Sequence, residues 1–194
     1  MESSRPSPAR FTLVFDTETS ALPPRGKTPC DSDAWRNCRI VQIAWALFED
    51  KNLIEKECYL VQQAPGFSIP IETTKIHGIT TEDANTNGLS LQTVLNKFEE
   101  ALNKADTLVA HNIEFDNNMM ISEYWRERNN IPSKLKTIDK FCTMKKNTRN
   151  GERWPKLSVL YERMFGSIPT GCHRADVDVE LCAKIYFNDA TILL

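Results

Sequence analysis

At 194 residues, with 41% hydrophobic and 26% charged side chains, the chain can bury one sizeable core and has no apolar run able to span a bilayer. A formal net charge of −2 excludes a global basic field of the kind that holds long duplexes by counterion release, so any grip on nucleic acid must be local.

The first ten residues, "MESSRPSPAR", lack a hydrophobic core; they are not a secretory signal and are expected to form a short disordered tail before one domain over 11–194. "RFTLVFD" then reads as a strand, followed by the β candidates "RIVQIAWALFED", "KNLIEKECYLV", "DTLVAH" and "KTIDKFCT", rich in Val, Ile and aromatics. The turn signal "EDKN" predicts an antiparallel hairpin between the second and third. "PPRGKTPCDSDAWRN", with three prolines and one glycine, is a long loop directly after the first strand. In "SLQTVLNKFEEALNKA", Leu91, Val94, Leu95, Phe98 and Leu102 form a helical stripe with Ser90 as N-cap. "IEFDNNMMISEYWRERNN", "PKLSVLYERMFG", which ends on Gly166, and "ADVDVELCAKIYFND" are further helices. Strands first, then strands alternating with helices, argue an α/β sandwich on a mixed sheet. Six cysteines, at 30, 38, 58, 142, 172 and 182, form no C-x-x-C pair, which disfavours a zinc site or a disulfide scaffold and fits the cytoplasm or another reducing intracellular compartment.

Four carboxylates stand where apolar residues are expected. Asp16 and Glu18, two residues apart at the end of the first strand, can project to one face. Asp116 shares a helical face with Ile113, Met120 and Tyr124. Asp178 shares one with Leu181, Cys182 and Ile185, whereas Asp176 aligns with Glu180 and Lys184 and faces outward. Taken singly, the strand pair reads more simply as strand-end charge, and Asp116 or Asp178 can be a helix-start charge favoured by the macrodipole. Converging carboxylates, however, repel unless cations neutralise them, and a divalent metal, most economically a pair, does so. Oxygen ligation without cysteine suits Mg²⁺ or Mn²⁺.

"FDTETSAL", "VAHNIEFDNNMM" and "HRADVD" resemble, in that order, the three motifs of the DnaQ-like, DEDDh family of 3′–5′ exonucleases. "IHGIT" and "KLSVLYERMFG" resemble further family segments, so the similarity runs through nearly the whole chain after Arg10. One departure is Ala21, where many members carry glycine. The resemblance implies a ribonuclease H-like fold with a central mixed five-stranded sheet flanked by helices. It implies that Asp16, Glu18, Asp116 and Asp178 hold two metals and that His173 is the general base. Substrate contacts would come from Thr17, Thr19, Leu22, His77, Asn112 and Phe115. A water deprotonated by His173 would attack the last phosphodiester while two metals, about 4 Å apart, stabilise the attacking and leaving oxygens and a nucleoside 5′-monophosphate departs.

Several readings stay open at this level. Leu22 and Phe115 also read as packing residues, His77 as a packed or capping histidine, and His111 as a structural residue capping the helix after it. "CTMKKNTRNGERWPK" places Lys145, Lys146, Arg149, Arg153 and Lys156 around Trp154, either a backbone track with a stacking platform or a solvated loop. The expected partner is a single-stranded nucleic-acid 3′ end, DNA before RNA, with or without a polymerase alongside, and no membrane. Competing functions are an exoribonuclease of the same family, a non-catalytic adaptor on this fold, and a haloacid dehalogenase-type phosphatase. The last needs a second Asp where Glu18 stands.

Overall fold

In the computed structural model, which describes residues 10–192, the elements follow as β1 (Phe11–Thr19), β2 (Ile40–Glu49), β3 (Asn52–Leu60), α1 (Ile71–His77), α2 (Thr81–Asn87), α3 (Leu91–Lys104), β4 (Thr107–Ala110), α4 (Ile113–Arg128), α5 (Ser133–Thr137), β5 (Asp139–Cys142), α6 (Thr143–Lys146), α7 (Leu157–Phe165) and α8 (Ala175–Phe187). The disordered tail expected over 1–10 lies outside the described residues except for Arg10, whose N–H donates to Asp50 Oδ1 at 3.2 Å.

The five strands form one sheet in the order β3-β2-β1-β4-β5. β1, β2 and β3 pair antiparallel, while β4 runs parallel to β1 and β5 parallel to β4. Alternation along β1 decides the layers: Leu13 and Phe15 belong to the core built with α3 and α4, and Val14 to the core built with α8. This is the mixed five-stranded sheet with helices on both faces that the resemblance implied. Sequence order reverses between β1 and β4, so the carboxyl ends of these adjacent parallel strands open a crevice, the usual place for a ligand in such sheets.

Pairing with β2 carries β1 three residues beyond the expected strand, to Thr19, so Asp16 and Glu18 lie inside it, opposite Ala44 and Gln42. β5 is shorter than predicted, because Lys136 and Thr137 close α5 and Thr143 opens α6. The short helices α1, α2, α5 and α6 were not anticipated; none is long enough to show a periodic apolar stripe. The missed signal is at α2, where Thr80 and Asp83 form a reciprocal capping box. The loop 20–39 is tied down at its neck: Ser20 Oγ–H donates to Asn37 O at 2.7 Å and the Cys38 thiol to Leu22 O at 3.1 Å.

Candidate active site

Asp16 and Glu18 share strand parity with Val14 and so face α8, while Thr17 faces α4. The N–H and the hydroxyl of Thr17 both donate to Asp116 Oδ1, at 3.0 and 2.7 Å, and fix that carboxylate in the first turn of α4. Asp178, in the first turn of α8, is buried as its helical phase predicts, and Asp176 is turned outward to Arg174 at 3.0 Å. The four carboxylates perturb one another. Burial, then Asp116, Asp178 and Glu18, hold the Asp16 carboxyl well above the usual range. Burial, with Asp178 and Asp116 adding to it, pushes Glu18 up to about 8. Burial pushes Asp116 up to about 7, against the lowering effect of the Thr17 hydrogen bonds, and Asp178 up to about 6.

None of these four groups has a Lys or Arg ion-pair partner among the described residues. Asp178 Oδ1 is buried with no hydrogen-bond partner. An orphaned carboxylate oxygen among mutually repelling oxygens fits a hard divalent cation as the missing counter-charge.

His173 approaches from the loop before α8. Its φ is 69°, a left-handed conformation that costs a non-glycine residue on the order of 1 to 3 kcal/mol, and its N–H donates to Asp178 Oδ2 at 3.2 Å. That turn brings atoms of Glu18, His173 and Asp178 within 4.8 Å of one another while the imidazole stays exposed.

Two cavities flank the carboxylates. The larger, about 620 Å³, runs from Asp16, Asp178, Cys172 and His173 past Asn112 to Lys156, Leu157 and Ser158. The smaller, about 260 Å³, is lined by Thr17, Glu18, Thr19, Thr73, Ile76 and His77. Leu22 and Phe115 border both and divide them; Leu22 is 81% exposed, which rules out simple packing for it. His77 lines the smaller cavity, and its buried Nδ1 accepts from Ile79 N–H at 3.0 Å. Thr19 gives its hydroxyl to Ala21 O at 3.2 Å. Asn112 sits at φ 66° at the entry to α4, without a side-chain cap.

His111 lines the larger cavity and is locked by two ring hydrogen bonds; it does not cap α4. Pro155 O, 2.9 Å from Nε2, can only accept, so Nε2 carries the proton and Nδ1 accepts from the Thr143 hydroxyl at 3.0 Å. Lys145 and Arg149 are paired with Glu114 and Glu152, at 2.9 and 3.9 Å, and lie outside both cavities, as do Lys146 and Arg153. Sequence reasoning missed Thr73, Ile76, Leu157, Ser158 and Cys172 as lining residues; apolar and small side chains carry no chemical signature of a site.

The RNase_T exonuclease family matches residues 13–186. The chain belongs to the DnaQ-like 3′–5′ exonuclease family. Members are nuclease hydrolases that use divalent metal ions, and this exonuclease domain keeps the acidic and histidine cluster in one place. It is 29% identical over 181 residues to a DNA polymerase III PolC-type of Mycoplasmopsis pulmonis and 28% over 176 residues to that of Streptococcus thermophilus, in each case covering 90% of this chain and 11% of the relative. Among solved structures it resembles E. coli exonuclease I in complex with a dT13 oligonucleotide, with TM-score 0.72, 18% identity, and coverage of 94% of this chain and 41% of that one. A zinc-bound E. coli exonuclease I–ssDNA complex matches at TM-score 0.71 and 18% identity, over 92% and 40% of the two chains. The exonuclease domain thus spans about a tenth of the PolC-type relatives and about two fifths of exonuclease I. None of its helices, among the described residues, is long and apolar enough to cross a membrane.

Proposed function

We propose that this protein, through one domain over 11–194, removes nucleoside 5′-monophosphates from the 3′ ends of single-stranded or frayed DNA. The observation that carries the reading is the group of four carboxylates without a cation of the protein's own, beside His173, at the division between two cavities. Asp16, Glu18, Asp116 and Asp178 would hold two divalent cations, Mg²⁺ or Mn²⁺. When bound, these supply Lewis-acid polarisation of the scissile phosphodiester and offset the charge developing on it. His173, exposed on its loop, accepts the proton of the attacking water. Thr17 keeps Asp116 in position throughout.

Leu22 and Phe115 separate the last two nucleotides. The smaller cavity takes the terminal one, because the larger has more than twice its volume and is lined by Lys156, whose ammonium suits the backbone of the remaining strand. DNA is favoured over RNA because the relatives are DNA polymerases and the structural neighbours hold ssDNA and dT13. The PolC-type relatives also support work beside a polymerase. The six cysteines are all free thiols, in keeping with a reducing compartment such as the cytoplasm.

The test is a digestion of 5′-labelled dT10 with Mg²⁺ or Mn²⁺. It should give a ladder shortened from the 3′ end and labelled product in steps of one nucleotide, abolished by excess chelator and restored by metal. Undiminished hydrolysis after verified metal removal would falsify the mechanism. His173→Ala should keep the fold and metal binding yet lose on the order of 10² to 10⁴ in rate. Wild-type turnover in that variant between pH 6 and 9 would remove His173 from the reaction.

A further inference from the structure

The segment between α6 and α7 is not used by the reaction proposed above, yet it is held firmly in place. Arg163 donates to Glu152 Oε2 at 2.9 Å and to Asn147 O at 3.0 Å, and the Thr148 hydroxyl donates to Met144 O at 2.8 Å. At the far end, His111 donates to Pro155 O at 2.9 Å and so ties the segment to the turn that carries Asn112 and Phe115. These bonds fix Trp154, which is nevertheless 63% exposed. Lys145 Nζ, itself held by Glu114, lies 5.8 Å from the Trp154 ring centroid and occupies one face of the indole. Single exposed aromatics are common, but this one adjoins Lys156 through Pro155, and Lys156 lines the larger cavity. Lys146 and Arg153, the sequence neighbours of Lys145 and Trp154, are exposed and form no ion pair among the described residues.

We propose that Trp154, with Lys146, Arg153 and Lys156 around it, is a binding subsite for the single-stranded DNA that leaves the larger cavity. The free face of the indole stacks on a base upstream of the two nucleotides at the scissile bond, and the cations follow the backbone. Every base has a π-face, so the grip tolerates any sequence, as an enzyme consuming a strand requires. The short track suits a chain whose net charge gives no long-range attraction. The subsite rests on the exonuclease reading.

The experiment compares wild type, Trp154→Ala and Trp154→Phe on dT2, which ends before the subsite, and on dT10. It measures steady-state kinetics with Mn²⁺ and equilibrium binding of fluorescein-labelled dT10 in excess chelator, with melting temperature as the check on folding. Trp154→Ala should raise the KM and the Kd for dT10 about ten-fold or more, leave kcat and all dT2 kinetics as in wild type, and be largely rescued by Trp154→Phe. A dT10 KM and Kd within two-fold of wild type would overturn the subsite. So would equal losses on dT2 and dT10, which mark a loop that merely supports the fold. Wild type that hydrolyses neither oligonucleotide yet binds dT10 through Trp154 would overturn the exonuclease reading and support the subsite; wild type that neither hydrolyses nor binds overturns both.

Discussion

Helix α4 buries two carboxylates seven residues apart on one face, Asp116 at 2% and Glu123 at 1% exposure, and treats them in opposite ways. Glu123 accepts from Ile40 N–H at 2.9 Å and Arg39 Nε at 3.2 Å and is paired with Arg126, whose guanidinium also donates to Trp35 O at 3.1 Å and Cys38 O at 3.3 Å. Its charge is matched by the protein's own cations, and the network pins the long loop behind Leu22. Asp116 receives only the two Thr17 hydrogen bonds and sits among three other carboxylates. The difference teaches that burial of a charge does not by itself mark a site. A carboxylate supplied with arginines holds structure together, whereas one left without them is positioned for a cation from outside.

The largest effect that can break this contrast is on turnover. Asp116→Asn keeps the shape, and its amide oxygen can still accept from Thr17, so the variant should fold, lose at least on the order of 10³ in rate, and melt at the same or a higher temperature than wild type in chelator. Retained activity would place Asp116 with Glu123 among the structural carboxylates. Glu123→Gln should do the reverse. Removing one partner of a buried pair costs about 3 to 5 kcal/mol, a fall on the order of 10 °C in Tm, while the folded fraction keeps its kcat. A catalytically dead but fully stable Glu123→Gln would end the comparison.

The pH dependence of metal-free stability sharpens it. Glu18, Asp116 and Asp178, at about 8, 7 and 6, lie above the values of an unfolded chain, near 4. The folded state therefore binds more protons than the unfolded one across this window, and the stability from these groups falls as pH rises through it. In chelator, Tm should be lower at pH 8.5 than at pH 6, and excess Mn²⁺ should largely remove the slope by replacing protons with cations. Asp116→Asn should flatten the slope and Glu123→Gln leave it intact; a metal-free Tm that rises over this range contradicts the electrostatics. The smallest effect is expected at Asp176, which points at Arg174 from the same turn as Asp178. Asp176→Asn should change stability by no more than about 0.5 kcal/mol and leave turnover near wild type. If it proves to be the dead variant, the phase of α8 has been misjudged.

What could be read from the chain alone was local. The 3.6-residue period set Asp178 beside Leu181, Cys182 and Ile185 and turned Asp176 away, and the same period placed Asp116 with Ile113, Met120 and Tyr124; all of these inward positions are buried. The order of motifs carried the family and the sheet for the same reason: strand and helix patterns are written within a dozen residues of themselves. That period could not say which buried carboxylate of α4 would be neutralised. Arg39, which meets Glu123, stands 84 residues earlier in the chain, and the three carboxylates that crowd Asp116 come from β1 and α8. Nor could it reveal that His111 reaches Pro155, 44 residues on, and so sets Trp154 near the cleft. Charge compensation depends on distance in space, and only the closing of β4 against β1, with α8 across the sheet, fixes those distances.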